Sequence, residues 1–520
     1  MAKEISCAQL EELMDGGSPC AVLDVRERGE FNDCQIAGAT SLPRGEIEFR
    51  VLALVPDLKV PVVVYDEGGA RAALAAATLA ELGYEEVAVL GGGIDAWRSE
   101  GRPVATGVNV PSKRFGERLY RARHVPHVTP EELKRWQDEG RSVAVLDVRT
   151  PEEYARFCVP GGSNVPGGDL VLWAHALKQR REAMIVVNCA GRTRGIVGTA
   201  TLRALGVESA RVLQNGTMGW VLAGLELERS PRRNVPVPPV ESVSEGSRLA
   251  RRMAADAGLS RLGCEDIDAL LSRRTDGPFY LVDVRSRREY ESGHIAGSIH
   301  APGGQAVQCA DDFIAVRHAR IVFLSNEAAR ATVAAYWYGE MGFRDVSVLD
   351  GGLRSWAESG RPLFAGAESG ESPLVTRAVD AAAWIDAREL LSTGASRGVT
   401  ILDVGTSAEF GAAHLPGALW IARGRIETEI PRLFPDRGKP IVVTSPDGRA
   451  AALAARALEG MGYERVRALE RGLRGWVAAG GSTEAGLARC LVEPNDVVLS
   501  PSITGDLESM KRYLEWEVTL

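Results

Sequence analysis

Residues 144–154 read AVLDVRTPEEY, an apolar run of strand length that ends at Asp147 and Arg149 and passes into a helix-opening Thr-Pro-Glu-Glu. The stretch recurs as AVLDVRERGEF around Asp24, YLVDVRSRREY around Asp283 and TILDVGTSAEF around Asp403. Each repetition is followed by a second signature: VAVLGGGIDAW ending at Trp97, ARVLQNGTMGW at Trp220, VSVLDGGLRSW at Trp356 and VRALERGLRGW at Trp476. From Asp to Trp is 73 residues in all four copies. Constant spacing inside the copies, with unequal gaps between them, is the mark of a duplicated domain joined by linkers.

Inside a copy, apolar strand-length runs alternate with helical periodicity. The second copy shows the order. Thr129-Pro130-Glu131-Glu132 combines an N-cap, a first-turn proline and a capping-box glutamate, opening a helix through Trp136. VAVLDV reads as a strand, PEEYARF as a short helix, DLVLWAHALKQ as a helix, MIVVN as a strand, TRGIVGTATLRALG as a helix and RVLQ as the closing strand. Continuous runs such as VVVY, MIVV, RIVF and PIVV predict a mainly parallel sheet with helices on both faces, an α/β class. The expected domains are 1–107, 121–230, 260–365 and 380–482, followed by a tail, 483–520, whose amphipathic LESMKRYLEWE is suited to docking on a domain. The Pro- and charge-rich RSPRRNVPVPPVESVSEGSR reads as a linker.

The chain has 520 residues, 45% hydrophobic and 25% charged, too long for one core and too apolar for disorder. A net charge of -8 argues against a nucleic-acid partner. The start lacks a basic segment leading into a sustained apolar stretch, and no run reaches membrane-spanning length, so no membrane partner and a cytoplasmic location are expected. Eight cysteines lie scattered (Cys7, Cys20, Cys34, Cys158, Cys189, Cys264, Cys309, Cys490), with no C-x-x-C and no zinc spacing. They read as free thiols, and neither metal nor cofactor is expected.

Ligands of doubly wound sheets bind beyond the carboxyl ends of the strands. The loop after MIVVN is such a place, and it reads Cys189-Ala190-Gly191-Arg192-Thr193-Arg194. Two guanidinium groups, a helix start and the loop amides all favour a thiolate, so a depressed Cys189 pKa is expected. A lone cysteine after a strand is ordinarily an inert core residue; the arginines reverse that reading.

The Asp-Val-Arg after the first strand, the cysteine loop and the late Gly-x-x-x-Trp resemble the rhodanese superfamily along nearly the whole chain. The resemblance implies sulfur transfer: Cys189 as the nucleophile that takes up a sulfane sulfur, with Arg192 and Arg194 binding an anionic donor and Ala190, Gly191 and Thr193 supplying the loop around it. The common family loop has glycine at its fourth position, where this chain has Arg192. The loop also differs from the Gly/Ser/Thr-rich loop of mercaptopyruvate sulfurtransferases, which favours thiosulfate over a keto acid. A cyanide or thiol acceptor completes the reaction.

The position 42 residues after each Asp holds Asp66, Cys189, Ser325 and Ser445, so three copies lack a thiol and read as inactive. The fourth has also lost its Asp-Val-Arg arginine, having Gly405, and its loop Arg449 comes one residue early. Asp147 recurs in copies without a nucleophile and reads as architecture, bonding loop backbone; Arg149 lines the pocket or pairs with Glu153. The recurrent tryptophans read as packing, and His175 as structural. Cys158 is the candidate for resolving a persulfide. Two rival functions remain. A dual-specificity phosphatase would need Cys-x-x-x-x-x-Arg, whereas four residues separate Cys189 from Arg194. A scaffold or persulfide- and redox-sensing protein would explain the degenerate copies.

Overall fold

The computed structural model describes residues 3–180, 183–231, 233, 237–273, 277–367, 371–392 and 398–520. Local sequence explains where the short helix after each Asp begins. Thr150, Ser286 and Thr406 cap Pro151–Arg156, Arg287–Ser292 and Ser407–Ala412, with Glu153, Glu289 and Glu409 closing reciprocal capping boxes. In the second copy the helix Pro130–Asp138 opens on the Thr129/Glu132 box as the sequence predicts.

Each copy forms its own sheet. In the second the order is Ser163–Asn164, Val143–Asp147, Met184–Asn188, Ala210–Leu213, His127–Val128, every pair parallel. The third and fourth copies repeat this arrangement, also parallel throughout. The first adds an antiparallel edge strand, Val316–Arg317, beside Cys20–Asp24. The recurrent tryptophans are core residues: Trp220 packs with Val128, Leu133, Val145, Val186 and Leu213, and its indole N–H donates to Glu226 O. Trp97, Trp356 and Trp476 make the same bond six residues ahead. Truncating such a residue to alanine costs about 3–5 kcal/mol.

The copies are nested in pairs. One compact unit holds residues 1–108, 315–317 and 369–498, hence the first and fourth copies; the other holds 109–314, 318–368 and 499–520, hence the second and third. In both units the pairing uses glycine 20 or 21 residues after the motif Asp. A Cβ on Gly45 would lie 2.9 Å from Gly424 N, and one on Gly303 would lie 3.0 Å from Gly168 Cα, so the backbones meet where a side chain would hold them apart. Arg44 reaches Glu427 at 3.1 Å in the first unit. Arg330 reaches Asp169 at 3.1 Å, and Trp337 Nε1 donates to Thr201 Oγ1 at 2.9 Å, in the second.

Two connections differ from expectation. The stretch read as a linker at 229–248 lies partly outside the described residues, but from Val240 it is helical, Val240–Asp256. That helix packs on Leu170–Gln179, and Ser242 Oγ accepts the Ala176 N–H at 3.2 Å, so its apolar stripe has a partner that local composition hides. The gap before the second copy is also a helix, Val110–Ala122. The tail divides at Val498: Arg489 and Leu491 bond Trp420 in the first unit, whereas the C-terminal helix Leu507–Thr519 docks on the second copy.

Candidate active site

Asp147 and Asn188 end adjacent parallel strands in register. The Asp147 carboxylate accepts three bonds from the Arg149 side chain, one from the Arg149 amide and one from Asn188. Arg149 also donates to Phe157 O and is 1% exposed, so it is sealed into the strand end. It neither lines an open pocket nor pairs with Glu153, correcting both expectations. The same closed unit recurs as Arg26 with Asp24 and Arg285 with Asp283.

Cys189 follows Asn188 in a loop that ends at the helix Thr193–Ala204. The backbone N–H groups of Gly191 and Gly195 pull its thiol toward the ionised form. The other copies build the same cradle at the same spacing around different atoms. Asp66 accepts from Gly68, Gly69 and Ala72, Ser325 from Ala331, and Ser445 from Gly448 and Ala451. Loop amides are therefore satisfied by a carboxylate or hydroxyl in three copies, and the second has a thiol at the same position. The Gly-x-x-x-Trp glycine belongs to this construction. Gly93, Gly216, Gly352 and Gly472 all have φ between 53° and 67°, and a Cβ there would lie 1.8–2.3 Å from the carbonyl oxygen of Asp66, Cys189, Ser325 or Ser445. The next residue's N–H donates to that carbonyl; for Thr217 and Cys189 the distance is 2.8 Å.

The arginines do not take the places the loop sequence suggests. Arg194 forks onto Glu153 at 2.6 and 2.8 Å and touches Gln305 Oε1 at 3.3 Å. Arg192 forks onto Glu117 at 2.5 and 2.9 Å, donates to Asn215 and lies over the Tyr120 ring. Both guanidinium groups are thus committed to carboxylates. Ala190 contributes its carbonyl, which accepts from Met218 N at 3.0 Å. The Thr193 hydroxyl donates to Glu517 at 2.7 Å.

Glu517 shows what sequence reasoning missed. The C-terminal helix covers the Cys189 loop, with Met510 and Leu514 packed on Met218. Tyr513 and Glu517 lie against Gly191. Lys113, on the helix before the second copy, places its ammonium 4.8 Å from the Tyr513 ring centre and 4.7 Å from that of Trp516. Cys189 is only 3% exposed as a result. Burial pushes its thiol up to about 11, outweighing the downward pull of Arg194 and the loop amides. The expected depression is reversed, because the thiol is desolvated in a loop covered by the C-terminal helix. Alkylation of Cys189 by iodoacetamide should therefore be slow at pH 7 and still rising at pH 10, whereas an exposed thiol levels off near about 9. Peptide mass spectra would read this directly, and a plateau by pH 8 would contradict it.

Cys158 contacts Arg233 at 3.3 Å beside Glu228, away from these groups, whereas Cys309 of the third copy is a charge neighbour of Arg194 and Lys113. His175 faces Glu241 at 3.6 Å. Among the described residues no cluster of His, Cys, Asp and Glu is placed to hold a metal, and no helix is long and apolar enough to cross a membrane.

Comparison with known proteins agrees with the repeat. The rhodanese-like domain profile matches residues 6–100, 129–223, 266–359 and 386–479. A crystal structure of thiosulfate sulfurtransferase from Pseudomonas aeruginosa superposes with a TM-score of 0.91 at 34% identity, covering 99% of this chain and 96% of that one. A putative thiosulfate sulfurtransferase, SseB, from Mycobacterium tuberculosis is 28% identical over 208 residues, 32% of this chain and 71% of that protein. The probable adenylyltransferase/sulfurtransferase MoeZ of the same organism is 29% identical over 93 residues, 18% of this chain and 24% of that protein. With four matches that together span most of its length, the chain belongs to the rhodanese-like domain family, as four tandem copies of that domain.

Proposed function

We propose that the protein is a thiosulfate sulfurtransferase whose single reactive centre is Cys189. One observation carries this reading: of four equivalent amide cradles, only the second surrounds a sulfur. The Cys189 thiolate attacks the outer sulfur of thiosulfate, the S–S bond breaks, and sulfite leaves with the bonding pair. The sulfane sulfur remains as a Cys189 persulfide, whose negative end lies among the Gly191 and Gly195 amides. A small anionic acceptor such as cyanide, or a thiolate, then attacks that sulfur and Cys189 departs as thiolate. Arg194 supports the thiolate through its charge while held by Glu153. Arg192 reaches an anionic donor only by leaving Glu117. The first, third and fourth copies are inactive in this scheme, because Asp66, Ser325 and Ser445 fill their own cradles. We assign the reaction to the cytoplasm, where all eight cysteines, none of them in a disulfide, would stay reduced.

The test uses the wild type and Cys189→Ser, incubated with thiosulfate and weighed intact, then given cyanide. Wild type should gain one sulfur and form thiocyanate, and the variant should do neither. The covered thiol also favours a second reading, a persulfide or redox sensor. Modification of Cys189 without release of thiocyanate would select it.

A further inference from the structure

Around the Cys189 loop three basic side chains face three acidic ones, and burial lowers Lys113 to about 8 and raises the Glu517 carboxyl. Lys113, Arg192 and Arg194 face Glu117, Glu153 and Glu517. Two of the carboxylates are each held by a forked arginine; Glu517 is not. Its Oε1 accepts the Thr193 hydroxyl, but its Oε2 is buried without a hydrogen-bond partner, 3.3 Å from where a Cβ on Gly191 would sit. The whole side chain is 1% exposed. A carboxylate oxygen therefore borders the residue whose amide faces the Cys189 sulfur, delivered by a helix more than 300 residues away in the chain.

We propose that Glu517 is a specificity-determining residue of the donor site, weighing sulfane-sulfur donors by charge, so that it narrows the advantage of dianions such as thiosulfate over monoanions such as alkanethiosulfonates. The inference rests on the sulfurtransferase reading for the nature of the substrate and deepens it. Removing this carboxylate leaves one positive charge in excess around the loop, which suits a dianion. The chemistry is unchanged by donor: Cys189 takes the terminal sulfur and the S–S bond breaks, releasing sulfite from thiosulfate or a sulfinate from a thiosulfonate. Glu517 differs from Arg194 in kind, since it borders Gly191 and has no counter-ion fork.

Glu517→Gln keeps an oxygen for Thr193 and removes only the charge; Glu517→Ala removes both. In both variants the kcat/KM ratio of thiosulfate over methanethiosulfonate should rise about tenfold, the effect of one charge a few ångströms away in a partly dry site. A readout that needs no turnover is the ratio of Cys189 alkylation by iodoacetate, an anion, to that by neutral iodoacetamide, which should rise about fivefold. Equal acceleration with both reagents would mean that the helix acts by obstruction alone, and no change would mean that Glu517 is inert; either overturns the proposal. If wild type transfers sulfur from neither donor, the sulfurtransferase reading fails, and the alkylation ratio still decides the role of Glu517.

Discussion

Arg194→Ala is expected to destabilise the second copy by about 3 kcal/mol at pH 7 and to slow Cys189 alkylation about tenfold. Burial by itself would raise the Glu153 carboxyl, but Arg194 overrides it and holds the group at about 2. A carboxyl depressed in the fold contributes stability at every pH above its ordinary value of 4.5, and loses that contribution as pH falls from there toward 2. Wild type and variant should therefore differ most in denaturant unfolding at neutral pH and converge near pH 2. The kinetic effect has a separate origin: Arg194 is the main charge drawing the buried thiol down. Arg71→Ala separates the two effects, because Arg71 forks onto Glu30 at 2.7 Å in a copy that has Asp66 at the loop cysteine position. It should cost comparable stability and leave sulfur transfer intact. A loss of transfer without a change in stability on replacing Arg194 would instead make Arg194 a donor-binding group, as its place in the loop first suggests.

The contrast between Arg194 and Cys189 shows how far the sequence could be read. The fold was legible because its signals are local and repeated: the Asp-to-Trp interval, the capping glutamates and the uninterrupted apolar strands. The candidate nucleophile stood out because one position differs among four copies. The structural pairing of Arg194 was also within reach, since Glu30, Glu153 and Glu289 recur six residues after each motif Asp, and the loop arginine recurs with them. Cys189 burial was not. It depends on Lys113, Tyr513 and Glu517, which lie outside every repeat and have no spacing relative to the loop. The amide cradle was invisible for another reason: backbone N–H groups carry no residue identity, and Ala72, Gly195, Ala331 and Ala451 share only their distance of six residues from the cradled side chain.

Asp403→Asn is expected to stabilise the fourth copy by about 2–4 kcal/mol at pH 8 and by little at pH 4, although it alters a motif residue. The fourth copy has Gly405 where the others have arginine, and Pro446 fills the space, since a Cβ on Gly405 would lie 2.9 Å from Pro446 Cδ. Asp403 keeps one bond, from the Gly405 amide at 2.8 Å, and burial raises its carboxyl to about 7 against that bond's pull. The unfolded carboxyl ionises from 3.8 upward and the folded one only from about 7, so wild-type stability declines across that window and then levels. Asparagine keeps the acceptor for Gly405 and removes the proton linkage, so the variant's advantage should grow from pH 4 to pH 7 in thermal unfolding. Asp147→Asn must behave in the opposite way. It strips the sealed Arg149 of its forked partner, and a buried guanidinium left without its carboxylate costs about 3–5 kcal/mol. Opposite signs for the same substitution at equivalent positions would establish that the arginine, and not the strand end, makes the motif aspartate tolerable as an anion; equal signs would show that the strand-end backbone governs both.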